Sequence, residues 1–196
     1  MVSLSKNQTV SLAKTANAAL SKITVGLGWD PVKKKGGLLS GIFGGGGGEI
    51  DLDASMLMLE SSGQVFDQVW FSQLQSKCRS VTHSGDNLTG EGDGDDESIF
   101  VELPKVPSNV AYLAVTVNSF RGQTFNEVEN SYCRIMDQSG KELVRYDLKE
   151  QGNYTATVIG MLKRLPGNDW EFKAIGEFGQ GKTVGDLVGM ASQQIF

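Results

Sequence analysis

Ile50-Asp51-Leu52-Asp53-Ala54-Ser55-Met56-Leu57-Met58-Leu59 is the stretch on which the fold turns. Ile50, Leu52, Ala54, Met56 and Met58 recur at every second position, and an extended chain puts them on one face. The other face reads Asp51, Asp53, Ser55, Leu57, Leu59, polar at one end and apolar at the other. A period of two marks a β-strand, and the aspartates stand at the rim of a buried surface, where carboxylates need a partner.

Runs of the same kind fill the chain. Residues 9–12, 23–27, 65–71, 99–103, 110–117, 132–136, 142–146, 154–165 and 171–178 are short and rich in aliphatic, aromatic and β-branched side chains. Asp137-Gln138-Ser139-Gly140 and Pro166-Gly167-Asn168-Asp169 are turn sequences, and each joins two runs as a hairpin. Helical signals are sparse. The strongest is 183–193, where Thr183 and Asp186 form a Thr-x-x-Asp cap; single turns fit within 125–130 and 67–75. This pattern predicts an all-β, two-sheet β-sandwich with a few short helices and long acidic and glycine-rich loops. The expected organisation is one domain over 1–196, with 33–48 a flexible glycine-rich insertion.

The acidic loop is 85–97, Gly-Asp-Asn-Leu-Thr-Gly-Glu-Gly-Asp-Gly-Asp-Asp-Glu. It holds six carboxylates, Asp86, Glu91, Asp93, Asp95, Asp96 and Glu97, and no cation. The chain carries −5 in all, so these six charges account for its whole net acidity. Such carboxylates repel one another by about 1 kcal/mol per pair at 4 Å even in water. A hard cation offsets that repulsion, and Ca²⁺ takes six to eight oxygens on a backbone that glycine makes bendable. The plainer reading is a solvated acidic loop. Against it, Asp93, Asp95 and Glu97 alternate, so an extended backbone aims them one way, and the run leads straight into the apolar stretch 98–103. An EF-hand is excluded, because Leu88 and Gly90 stand at loop positions 3 and 5 and Glu91 replaces the glycine of position 6. A metal shared between this loop and Asp51 and Asp53 satisfies both acidic features.

Composition narrows the function. A pI near 4.9 argues against nucleic acid as a partner, and Lys33-Lys34-Lys35 is too short a basic run to reverse that. No apolar stretch approaches the roughly 20 residues of a membrane span, and the N-terminus lacks the form of a secretory signal, so the expected location is cytoplasmic. Cys78 and Cys133 have no paired spacing and read as idle thiols. With His83 the only histidine, Ser-His-Asp catalysis has little to build on, and a structural zinc site has too few ligands. Gly176-x-x-x-x-Gly181-Lys182-Thr183 has the spacing of a P-loop, but it follows a strand in an all-β pattern. An enzyme using the acidic cluster as a divalent-metal site for phosphate chemistry is the main alternative; a purely structural metal site is another.

Further motifs occur in order: Gly26-Leu27-Gly28-Trp29-Asp30, Gly122-Gln123-Thr124-Phe125, Arg145-Tyr146-Asp147-Leu148 and Trp170-Glu171-Phe172-Lys173-Ala174-Ile175-Gly176. Together with Asp51-Leu52-Asp53-Ala54-Ser55 and the 85–97 run, they make the whole chain resemble the TerD tellurite-resistance and stress-protein family. That resemblance implies a cytoplasmic, non-enzymatic bacterial β-sandwich that binds two Ca²⁺ ions. It further implies work with other Ter proteins, a membrane-embedded one among them, and hence association with the inner membrane face through partners. The family's acidic motifs map onto Asp51, Asp53, Asp86, Asn87, Asp93, Asp95, Asp96 and Glu97. The 33–48 segment departs from the common pattern, and in this family the Gly176–Thr183 stretch is no nucleotide motif.

Overall fold

A computed structural model describes residues 1–32, 50–85 and 94–196. In chain order the elements are β1 (Val2–Leu4), β2 (Thr9–Ser11), α1 (Leu12–Ala16), β3 (Lys22–Pro31), β4 (Asp53–Glu60), β5 (Val65–Val69) and β6 (Val81–His83). They continue with β7 (Glu97–Glu102), β8 (Val110–Asn118), β9 (Val128–Asp137), β10 (Glu142–Asp147), β11 (Ala156–Arg164), β12 (Trp170–Gly179) and α2 (Val188–Ser192). One sheet runs β1-β10-β9-β3-β7-β6 and the other β2-β12-β11-β8-β4-β5. Every pairing is antiparallel except β1 with β10.

The core lies where the two sheets face each other. Ile23, Val25 and Leu27 of β3 and Ile99 and Val101 of β7 belong to one apolar cluster with Ala54, Met56 and Met58 of β4 and Val115 of β8. The alternation read from 50–59 therefore holds, although the ladder itself begins only at Asp53. Leu57 and Leu59 face a second apolar layer, with Ala114, Met161 and Ile175, that Val184, Val188 and Ala191 cover. Because this sheet is covered on both sides, its strands carry nearly unbroken apolar runs such as 56–59 and 113–115.

Local chemistry explains the connections. Asp137 Oδ1 accepts hydrogen bonds from the Ser139 and Lys141 amides at 2.8 and 3.1 Å and so closes the β9–β10 turn. Gly140, at φ 81°, adopts the left-handed backbone that this turn requires. The expected helix over 183–193 is a 3-10 turn, Val184–Leu187, followed by α2, with the Thr183–Asp186 capping box in place. The 125–130 turn is present as Phe125–Glu127, whereas 67–75 contains the end of β5 and no helical turn. Among the described residues, the strands β1 and β6, of three residues each, and the five-residue helix α1 escaped the sequence reading.

The register puts the ends of β3, β5, β6, β8, β10 and β12 at the same end of the sandwich as the starts of β4, β7, β9 and β11. Leu27 pairs with Glu97, Asp53 with Asn118 and Ala156 with Asn118. Asp51 and Asp53 thereby share one end of the sandwich with Asp95, Asp96 and Glu97.

Candidate metal centre

Glu97 joins the two sheets. As the first residue of β7 it faces inward in line with Ile99 and Val101, and its side chain is fully buried. Its Oε2 accepts the Ala54 amide at 2.7 Å and lies 3.3 Å from His83 Nε2. The pairing of β4 with β5 reaches back only to Met56, so this side of Ala54 has no strand neighbour. Glu97 takes its N–H, and His83 Nε2 contacts its carbonyl at 3.1 Å. His83 Nδ1 accepts the Gly85 amide at 3.0 Å, which leaves the proton of the neutral ring on Nε2 as donor. The lone histidine is thus a buried strut between the sheets, beside the residues that begin the acidic loop.

Asp95 and Asp96 bind the neighbouring strand from outside the core. The Asp96 amide donates to Leu27 O, and Asp96 Oδ2 accepts the Trp29 amide, both at 2.8 Å. Burial, followed by the nearby charges of Asp30, Glu97 and Asp95, pushes its carboxyl above the usual range, against the Trp29 hydrogen bond. Asp95 lies over Gly26 on the outer face of the sheet. Gly26 pairs with Arg134 and Gly28 with Tyr132, so the two glycines leave a seat framed by those longer side chains. A Cβ at Gly26 would overlap the Asp95 carboxylate, and one at Gly28 the Tyr132 ring. Asp95 Oδ1 accepts from Arg134 Nε at 2.8 Å and from the Tyr132 hydroxyl at 3.0 Å. Burial, then Asp95, pushes the Tyr132 phenol up to about 12, so it remains a donor throughout the physiological range.

This placement corrects the expectation that Asp95 and Glu97 point the same way. The ladder starts only at Glu97 and the chain bends at Asp96 between them, so the two carboxylates go to opposite faces of the sheet. One consequence is testable. Gly26→Ala is expected to unseat Asp95 and break its Arg134 contact, lowering stability by about 1–3 kcal/mol in urea unfolding. A wild-type midpoint would show that the seat is not tight.

Asp51 and Asp53 lie at the rim of β4, only 5% and 4% exposed, and Asp51 Oδ1 and Asp53 Oδ2 are buried atoms. Arg121 Nε lies 2.8 Å from Asp51 Oδ2, from a guanidinium side chain half in solvent. All the carboxylates at this end offer hard oxygen donors, the chemistry of a calcium site rather than of a thiolate or imidazole one. Among the described residues, no three acidic, histidine or cysteine side chains converge closely enough to hold an ion alone.

The P-loop spacing has a different occupant. Asp186 Oδ2 accepts the Lys182 and Thr183 amides at 2.9 and 3.0 Å, so the protein's own carboxylate fills the place an anion would take. Those amides hold the Asp186 carboxyl below the usual range. Gly176 lies within an antiparallel strand, not before a helix of a parallel sheet.

A family model described as the TerD domain matches residues 1–193. The chain belongs to the TerD family. It is 59% identical over 187 residues to the tellurium resistance protein TerZ of Serratia marcescens, covering 95% of each chain. It is 42% identical over 195 residues to the stress response protein SCP2 of Bacillus subtilis, covering 95% of this chain and 97% of that one. The solved structure of a homologue of telluride resistance protein TerD from Streptomyces coelicolor superposes with a TM-score of 0.67 at 20% identity, covering 87% of this chain and 96% of that one, and shares the fold.

Of the eight candidate ligands in this TerD-family chain, the structure brings Asp51, Asp53, Asp95, Asp96 and Glu97 to one end of the sandwich; Asp86, Asn87 and Asp93 lie outside the described residues, as does the 33–48 insertion. The sequence reading missed Arg121, Tyr132, Arg134 and the structural use of His83. Of these, only the Gly-x-Gly of 26–28 carried a signal, since paired glycines in a strand mark a close approach. Among the described residues no helix is long and apolar enough to cross a membrane.

Proposed function

We propose that the protein is a non-enzymatic calcium-binding module of a tellurium-resistance and stress-response system. In this reading about two Ca²⁺ ions are held by Asp51, Asp53, Asp86, Asn87, Asp93, Asp95, Asp96 and Glu97. The ions order a loop that otherwise repels itself, and the ordered end serves as an adaptor surface for other Ter proteins, including a membrane-embedded one, at the cytoplasmic face of the membrane. The observation that carries it is the Glu97–Ala54 hydrogen bond, which ties the end of the acidic loop to the residue after Asp53. The names of the relatives, tellurium resistance and stress response, support the biological setting.

Ca²⁺ is favoured over Mg²⁺ because Mg²⁺ sheds water reluctantly and demands tighter octahedral geometry. Calorimetric titration of the purified protein, first stripped with chelator, is expected to show Ca²⁺ binding that millimolar Mg²⁺ does not displace. No heat with Ca²⁺, or equal affinity for Mg²⁺, overturns the assignment.

A further inference from the structure

The carboxylate end of the sandwich also gathers exposed apolar side chains. Among the described residues, five large hydrophobic side chains stand exposed: Met1, Val2, Leu74, Phe120 and Tyr154. Met1 and Val2 belong to the opposite end, where β1 begins beside Val144 of β10. The other three share the carboxylate end. Phe120, 54% exposed, leaves the end of β8 two residues after Asn118, the partner of Asp53. Tyr154, 40% exposed, precedes β11, and Leu74, 45% exposed, accepts the His83 amide at 2.8 Å.

Two of these side chains are braced from beneath. Phe120 packs edge-on against Phe71 at 6.0 Å, and Phe71 in turn against Trp70 at 4.7 Å. Tyr154 lies 5.6 Å from Phe178, which meets Phe125 edge-on at 5.2 Å. Each stack presents one ring to water on a support already packed, so little side-chain entropy remains to be lost when that ring is covered. Cations occur at the same end. Arg121 follows Phe120 directly, exposed Lys182 offers its carbonyl to Asn118 at 2.9 Å, and exposed Lys149 follows β10. Aromatic tips with neighbouring cations fit the headgroup layer of a membrane, where rings sit at the interface and Lys and Arg meet lipid phosphate.

From this arrangement we infer that the end of the sandwich bearing Phe120, Tyr154 and Leu74 docks directly on an anionic lipid surface when the carboxylate cluster is loaded with calcium. The inference rests on the calcium reading above and adds a lipid partner to it. Without a divalent cation the carboxylates of this end repel anionic lipid, and Arg121 is turned inward to Asp51 at 2.8 Å. With a divalent cation on these carboxylates the negative charge of this end falls, and anionic headgroups can approach the Phe120 anchor.

Co-sedimentation with vesicles of phosphatidylglycerol and phosphatidylcholine tests this, run beside calorimetric Ca²⁺ titration of the same protein without lipid. The wild type is expected to pellet with mixed vesicles in Ca²⁺, and to remain in solution with chelator or with pure phosphatidylcholine. Phe120→Ala, at an exposed position, is expected to weaken vesicle binding about tenfold while its lipid-free Ca²⁺ isotherm is unchanged. Free glycerol phosphate in excess is expected not to compete, because it lacks the apolar layer. Normal Ca²⁺ binding with no vesicle binding overturns the inference and leaves the calcium reading standing. Absence of Ca²⁺ binding removes both. Vesicle binding that survives chelator or Phe120→Ala also overturns it, as does lipid-free dimerisation in Ca²⁺ that Phe120→Ala abolishes, since the patch would then be a protein interface.

Discussion

Glu97→Ala is expected to lower the stability of the protein by about 2–4 kcal/mol, measured by urea unfolding in chelator so that no metal contributes. Two losses combine. Truncation removes the acceptor of the Ala54 amide, whose 2.7 Å hydrogen bond crosses from one sheet to the other, and leaves that buried N–H with no strand neighbour on its side. It also opens a cavity in a fully buried place beside the His83 ring. Glu97→Gln keeps the shape and one acceptor oxygen, so it should cost only about 1 kcal/mol. The difference between the two variants is the informative quantity. Should both lie within about 0.5 kcal/mol of wild type with an unchanged slope, the inter-sheet tie is not structural.

The sandwich was legible in the sequence because burial and period coincide on strands of five or more residues. Residues 50–59, 110–117 and 171–178 all lie mostly within β-structure, and both named turn sequences join hairpins. What escaped has specific causes. β1 and β6 have three residues each, too few to display a period of two. α1 is held by a distant side chain: Asp169 accepts the Ala13 amide at 3.2 Å and the Ser11 hydroxyl at 2.9 Å, across more than 150 residues of sequence. The site was legible in its residue types and only partly in its geometry. Asp51 and Asp53 do stand at the rim of a buried surface, as their strand's apolar continuation required. Alternation failed for Asp95 and Glu97 because it assumes a ladder, and the ladder ends between them. Cross-strand partners such as Arg134 under Asp95 depend on register, which no single segment encodes.

The largest ligand effect is expected from calcium itself. At free Ca²⁺ about 100 times Kd, each site should add about 2.7 kcal/mol to the stability of the folded chain, provided the unfolded chain binds none. For a protein of this length that corresponds to a rise in Tm of about 5–10 °C per site. Asp53→Asn is expected to abolish most of that rise, because a buried carboxylate at 4% exposure is replaced by a neutral amide where a cation needs charge. In chelator the same variant should unfold within about 1 kcal/mol of wild type, which separates ligand loss from damage to the fold. Glu60→Gln is the matched control. It lies on the same strand at the far end, where its Oε1 accepts from Asn109 Nδ2 at 2.8 Å, and should keep the full rise. Asp95→Asn is expected to lose the rise and also some stability in chelator, because its Oδ1 receives the Arg134 contact at 2.8 Å. Differential scanning calorimetry of the four proteins, with and without Ca²⁺, reads both quantities. A full calcium-induced rise in Asp53→Asn would mean that the loop binds its ions without the strand, and that Asp51 and Asp53 serve the fold through contacts such as Arg121 instead.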